Sequence, residues 1–217
     1  MRTQFTLELV ALSNDLTTMA RLAHDATQRL TDALAGADLA ATYEVFALDE
    51  RLQQMFAACE SRTMALLALQ APVARDLRHV VTAIQIAGEL SRIGRRAETA
   101  GQYVYRAHPA PVATAPVLPV LLAMSTLAAA AVARIGRGVA TGRIDADETG
   151  SATMDSLVTE LRAVLTDPGA DQTTGAAVDL ALLGSQLQRC ADHTVRIARL
   201  IHFLDTGIPP EDGPMPD

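Results

Sequence analysis

Leu90-Ser91-Arg92-Ile93-Gly94-Arg95-Arg96-Ala97 and Leu187-Gln188-Arg189-Cys190-Ala191-Asp192-His193-Thr194 are two loose copies of one octet. Each lies inside a long segment whose apolar residues recur every three or four positions, the period of an amphipathic helix. In the later segment the stripe is Leu183, Leu187, Cys190, Thr194, Ile197, Ile201 and Leu204. The positions 97 residues before the first six are Ile86, Leu90, Ile93, Ala97, Ala100 and Val104, a stripe of the earlier segment. A match along a whole helix face marks an internal duplication. An arginine set among leucines is costly unless something nearby pairs with it, so Arg92 and Arg189 are expected to be buried and partnered.

The same reading extends to the rest of the chain. Residues 5, 9, 12, 16, 19, 23, 26, 30 and 33 hold an unbroken apolar 4-3 spacing, which predicts one long helix ended by Gly36. Asp38 is placed to cap a second helix, carried by Val45, Leu48, Leu52, Met55, Cys59 and Leu66 as far as Pro72. A third runs from Pro72 to about Arg106 with two apolar faces, Leu77, Val80, Ile84 and Ala87 on one and the Ile86 to Val104 stripe on the other. Helix four follows Val117, Leu121, Met124, Ala128, Ala131 and Ile135 and ends near Gly142. Helix five spans about 146–165, and helix six carries the second octet. The predicted fold class is all-α, a tandem duplication of an antiparallel three-helix bundle. Residues 1–107 and 117–206 form the repeats, 108–116 a proline-rich linker, and 207–217 a tail expected to be disordered.

Composition narrows the function classes. The chain has 217 residues, 49% hydrophobic and 3% aromatic, with a formal net charge of -7, and none of its 18 basic residues is lysine. Such a charge lacks the basic stripe a nucleic-acid binder needs. Cys59 and Cys190 fall in apolar helical patterns and read as small buried hydrophobes in a reducing compartment. The stretch from Pro116 to Ala133 is the one run approaching membrane-span length. Its alanines, Ser125 and Thr126 make it a core helix, so no membrane span and a cytoplasmic location are expected. No glycine-rich phosphate loop, nucleophile elbow or Cys-x-x-Cys occurs, which argues for a regulator and against an enzyme. Asp76 and His79 make a single Asp-x-x-His step, half of what a di-iron carboxylate helix pair would require.

The run Leu66-Leu67-Ala68-Leu69-Gln70-Ala71-Pro72-Val73-Ala74-Arg75-Asp76-Leu77-Arg78, followed by Leu90-Ser91-Arg92-Ile93-Gly94 and Arg189-Cys190-Ala191-Asp192-His193, resembles the PhoU family. The resemblance covers the chain up to about Gly207. It implies a cytoplasmic homodimer that negatively controls phosphate uptake and phosphate-starvation signalling. The implied partners are a phosphate ABC transporter's nucleotide-binding subunit and the sensor histidine kinase of a two-component system. The family's repeat signature places two carboxylates at i and i+4 around a central arginine, a pair able to share a cation. Here those positions are Ser91 and Arg95 in the first repeat and Gln188 and Asp192 in the second, with Arg92 and Arg189 central and Glu89 two residues before the first motif.

Three of the four carboxylates are therefore missing, and no metal or other cofactor is expected; Asp192, assisted by His193, is the one remaining candidate cation ligand. The simpler reading of Asp192 is an ion pair with Arg189 and Arg196. Arg95 is either solvated beside Arg96 or paired with Asp49 or Glu50 on helix two. Arg92, Arg95 and Arg96 form either an exposed basic face or an anion-binding cluster. A stand-alone helical sensor of a metal or anion is the alternative to a regulator acting by protein contact.

Overall fold

The computed structural model describes residues 2–70, 72–144, 149–169 and 173–208. Its six helices are α1 (Arg2–Gly36), α2 (Leu39–Gln70), α3 (Ala74–Ala107), α4 (Val117–Thr141), α5 (Thr149–Leu165) and α6 (Thr174–Thr206). The tail expected to be disordered lies outside the described residues from 209 onward, as does the expected start of helix five at residue 146.

Local chemistry sets the ends. The Asp38 carboxylate accepts from the backbone N–H of Ala40 and Ala41 at 2.8 and 3.2 Å, capping α2 as its sequence position suggests. The left-handed residue of the preceding turn is Ala37, at φ 48°, while Gly36 still belongs to α1. Gly142 and Gly207 close α4 and α6 at φ 71° and 77°, a region that costs an L side chain about 1 kcal/mol or more. Thr173 caps α6, its hydroxyl accepting from Ala176 N–H. Helix three begins at Ala74, two residues later than expected, because Val73 is extended. Leu77, assigned to a buried face, is exposed in this first turn.

The helices do more than make two bundles side by side. α1, α3, α4 and α6 form a central square in which α1 packs on α3 and α4, and α6 packs on α3 and α4; α2 and α5 flank it on opposite sides. One apolar core runs through both repeats. The stripes read from the octets are its seam: Ile86, Leu90, Ile93, Ala97, Ala100 and Val104 of α3, and Leu183, Leu187, Cys190, Thr194, Ile197 and Ile201 of α6, are each at most 3% exposed. Burying each large aliphatic side chain contributes about 1.5–3 kcal/mol.

α4 is the one helix among the described residues long and apolar enough to cross a membrane, and half of its most apolar window is buried in the protein. Its stripe from Val117 through Leu121, Met124 and Ala128 to Ile135 is buried, as expected of a core helix.

The shared core predicts shared unfolding. All three tyrosines, Tyr43, Tyr103 and Tyr105, lie in the first repeat and there is no tryptophan, so tyrosine fluorescence reports on that repeat and, through Tyr103 beside Ala176 and Leu180 of α6, on its junction with the second. Leu187→Ala, in the second repeat, should cost about 2–5 kcal/mol. It should move the urea midpoint seen by tyrosine fluorescence as far as that seen by far-ultraviolet circular dichroism. A tyrosine transition left at its wild-type midpoint would show that the repeats fold independently.

Candidate functional site

In the first repeat the motif positions are occupied by a hydrogen-bonded network joining α2 to α3. The Asp49 side chain is 5% exposed, and its Oδ2 lies 3.2 Å from Arg95 Nη1. Gln53, one turn along α2, donates from Nε2 to Asp49 Oδ1 at 2.7 Å and to the Ser91 carbonyl at 3.1 Å. The Ser91 hydroxyl donates in return to Gln53 Oε1 at 2.7 Å. Gly94 lets α2 approach: a Cβ there would meet Leu52 Cδ1 at 2.6 Å and Asp49 Oδ1 at 3.1 Å. Burial holds the Asp49 carboxyl above its ordinary range, opposed by the Gln53 amide and the Arg95 guanidinium. Of the two readings open for Arg95, pairing with Asp49 is the one the structure adopts.

A second set of polar contacts crosses the seam between the repeats. Glu89 and His193, both buried, meet with Oε2 and Nδ1 2.6 Å apart, and the other Glu89 oxygen accepts from Arg92 Nη1 at 2.6 Å. Burial works against the Glu89 carboxylate. The His193 hydrogen bond and the His193, Arg92 and Arg196 charges outweigh it and hold the group below the ordinary carboxylate range. Near by, Arg96 Nη1 donates to Gln186 Oε1 at 3.3 Å.

These two contacts are the same contact made twice. Gln186 and His193 stand 97 residues after Glu89 and Arg96, so each pairs a position of one repeat with the partner position of the other. Ile93 and Cys190, equivalent by the same offset, touch through the Cys190 thiol and the Ile93 carbonyl at 3.9 Å. An internal two-fold axis therefore passes between α3 and α6 at the centre of the octets, the isologous geometry of a symmetric dimer built into one chain. Each cysteine is 1% exposed; burial pushes Cys59 up to about 11 and Cys190 to about 12, so both remain thiols.

Several expectations fail at this site. The central arginines are not buried: Arg92 and Arg189 face solvent, and the buried ionisable side chains at the site are Glu89, Asp49 and His193 instead. Only one of a helix's faces can point at the seam, and Ile93 and Cys190 occupy it. Arg92, Arg95 and Arg96 do not converge on an anion. They diverge, to Glu89 on their own helix, to Asp49 on α2 and to Gln186 on α6. Asp192 has no ion pair within 4 Å among the described residues. Burial raises its carboxyl while His193, Arg196 and Arg189 act on it from further away and Asp155 adds to the rise.

The residues present do not fit a metal cluster. Among the described residues no three of His, Cys, Asp and Glu come together. Asp49 is bound by Gln53 and Arg95. Glu89 is engaged by His193 and Arg92, and Gln188, half-buried, brings no charge. Arg95, at a motif position, sets a permanent positive charge beside the Asp49 carboxylate.

Sequence reasoning did not find Gln53, Gln186 or the pairing of Glu89 with His193. Gln53 follows Asp49 by four residues on one face, and Gln186 and His193 sit at the repeat offset from Glu89 and Arg96, so each carried a local signal. What brings them together is the crossing of different helices.

His193→Leu removes one side of the buried pair. It should lower stability by about 2 kcal/mol near neutral pH, the range for a hydrogen bond to a charged group. Glu89 lies below its ordinary range, so its contribution is present above that range and lost as pH falls through the lowered value. The gap between wild type and variant in urea unfolding should close on acidification. A variant as stable as wild type at every pH would refute the pair's role.

The profile of the PhoU domain matches residues 16–104. The phosphate-specific transport system accessory protein PhoU homolog 1 of Mycobacterium leprae is 35% identical over 223 residues, covering all of this chain and 99% of the relative. PhoU homolog 2 of Mycobacterium tuberculosis is 34% identical over 214 residues, covering 95% of this chain and 99% of the relative. The crystal structure of the phosphate transport system regulatory protein PhoU from Streptococcus pneumoniae superposes with a TM-score of 0.77 over 94% of this chain and 98% of that one, at 21% identity, and shares the fold. With its duplicated three-helix repeat, its octets on the seam and its full-length relatives, the chain is a member of the PhoU family.

Proposed function

We propose that the protein is a cytoplasmic, homodimeric negative regulator of phosphate uptake and phosphate-starvation signalling. It acts by contact with the nucleotide-binding subunit of a phosphate ABC transporter, with a sensor histidine kinase, or with both. The observation that carries this reading is identity of 35% to a phosphate-specific transport system accessory protein over the full length of both chains. The site supports contact in place of catalysis. Its buried polar groups, Asp49, Gln53, Ser91, Glu89 and His193, are consumed by one another. Arg92 and Arg189, at equivalent positions beside the internal axis, face solvent, where a partner's acidic groups can reach them.

A regulator of this kind needs no metal to hold its motif face, because the Arg95 guanidinium already neutralises Asp49. The alternative of a stand-alone metal sensor requires ligands that this face does not supply.

Tagged wild-type protein, drawn from phosphate-replete cells, should recover a transporter nucleotide-binding subunit or a sensor kinase. Arg92→Ala with Arg189→Ala should recover at least several-fold less while keeping its helical circular dichroism. Recovery of neither partner by the wild type would overturn the regulatory reading. Elemental analysis of the same preparation should find well under one transition metal or divalent ion per chain; a stoichiometric metal would overturn the contact-only reading of the motif.

A further inference from the structure

The central square has two ends, which the internal two-fold exchanges. At one end α3 passes into α4 through residues 108–116; Val112 and Ala113 pack there on the core, and His108 Nδ1 lies 3.0 Å from the Ala37 carbonyl. At the other, where α1 and α3 begin and α4 and α6 finish, there is a cavity of about 400 Å³. Its floor includes Leu12, Leu16, Ile86 and Ile201, all buried, and its mouth is lined by Arg75, His79, Arg143 and Asp205.

The mouth is unequal in charge. Arg75 and Arg143 are exposed and, among the described residues, neither has an ion pair within 4 Å, in contrast to Arg29, Arg62, Arg92 and Arg95. Among the described residues Asp205 is the one carboxylate on the lining. Arg78, beside His79, lies over the Phe203 ring at 5.7 Å with its Nε buried and, among the described residues, without an acceptor. The local field registers on the imidazole: burial, then the Arg75 and Arg78 charges, hold His79 below its ordinary value against Asp76.

We propose that this cavity binds a small amphipathic organic anion. Its apolar body rests on Leu12, Leu16, Ile86 and Ile201, and its phosphate, carboxylate or sulfonate sits at the Arg75, His79 and Arg143 mouth. A volume of this size is within the range of small-molecule sites, which are mostly apolar with a few placed polar groups. Forked guanidinium donors suit a planar or tetrahedral oxyanion. The aliphatic floor requires the hydrocarbon or aromatic part, because a bare inorganic anion would leave it against water. The occupant touches α1 and α3 of one repeat and α4 and α6 of the other, so it fixes the two against each other. The proposal stands apart from the regulatory reading and does not depend on it.

The test is a fluorescence titration of the full chain with 8-anilinonaphthalene-1-sulfonate, competed in turn by octyl phosphate, octanol and inorganic phosphate at equal concentration. One saturable site is expected, displaced by octyl phosphate and not by the other two. Arg75→Ala with Arg143→Ala, at exposed positions that leave the core intact, should weaken binding at least 10-fold. Ala83→Leu, which fills the cavity wall, should abolish it, and Arg51→Ala on α2 should leave it unchanged. Absence of a saturable site, or undiminished affinity in the double arginine variant, would overturn the proposal. Displacement as readily by inorganic phosphate, or by octanol, would also overturn it, showing an anion-only or apolar-only site.

Discussion

The antiparallel crossing of α3 on α6 is the constraint on which the rest of the molecule depends. Because the crossing is centred on equivalent residues, Ile93 against Cys190, each helix offers the other the same stripe. The apolar part of the seam is therefore satisfied automatically wherever both repeats keep small or aliphatic residues. The polar contacts must also come in pairs, and they do: Glu89 with His193 and Arg96 with Gln186. The duplication has diverged within that rule, one pair being buried and ionisable while the other is a weaker hydrogen bond between a guanidinium and an amide.

On the motif face the side chains themselves tie α2 to α3. Where the family signature gathers carboxylates, this chain has Ser91 and Arg95, and the Asp49 and Gln53 side chains of α2 close on them. A tethered guanidinium neutralises the buried carboxylate permanently, and the Gln53 amide satisfies both its neighbours, so α2 stays locked to α3 whatever ions are available. A charge left there without partners would cost several kcal/mol. The second repeat has gone less far: Asp192 sits half-buried among cations that act at a distance, and the short α5 presents Asp155 near it where α2 presents Asp49.

Much of this was legible in order along the chain. Helix stripes, the Asp38 cap, the glycine ends and the offset of 97 residues follow from side-chain chemistry acting within a few residues, and burial of the octet stripes as far as Val104 and Ile201 follows from the periodicity, Leu204 being only partly buried. The fates of the arginines were not. The apolar period put Ile93 on the inward face, and Arg92, one residue round the helix, turns to solvent in spite of its leucine neighbours. The pairing of Arg95 with Asp49 could be posed from sequence because the two helices are neighbours in the chain. The pairing of Glu89 with His193 joins residues 104 apart; the repeat offset marks His193 as the counterpart of Arg96, but nothing along the chain names Glu89 as its partner.

By itself the sequence determined six helices, their polarity along the chain and the doubled repeat with Ser91, Arg95 and Gln188 at its octet positions, because helix formation, capping and hydrophobic periodicity are short-range effects. Only the tertiary structure decided that the repeats share one core about a two-fold axis, that the buried ionisable groups are Asp49, Glu89 and His193 while the central arginines face water, and that among the described residues one end of the central square holds a cavity with Arg75, His79 and Arg143 at its mouth. Those outcomes turn on which faces meet when helices cross, a competition among burial, pairing and close approach that is settled between distant segments and so is written in no single one of them.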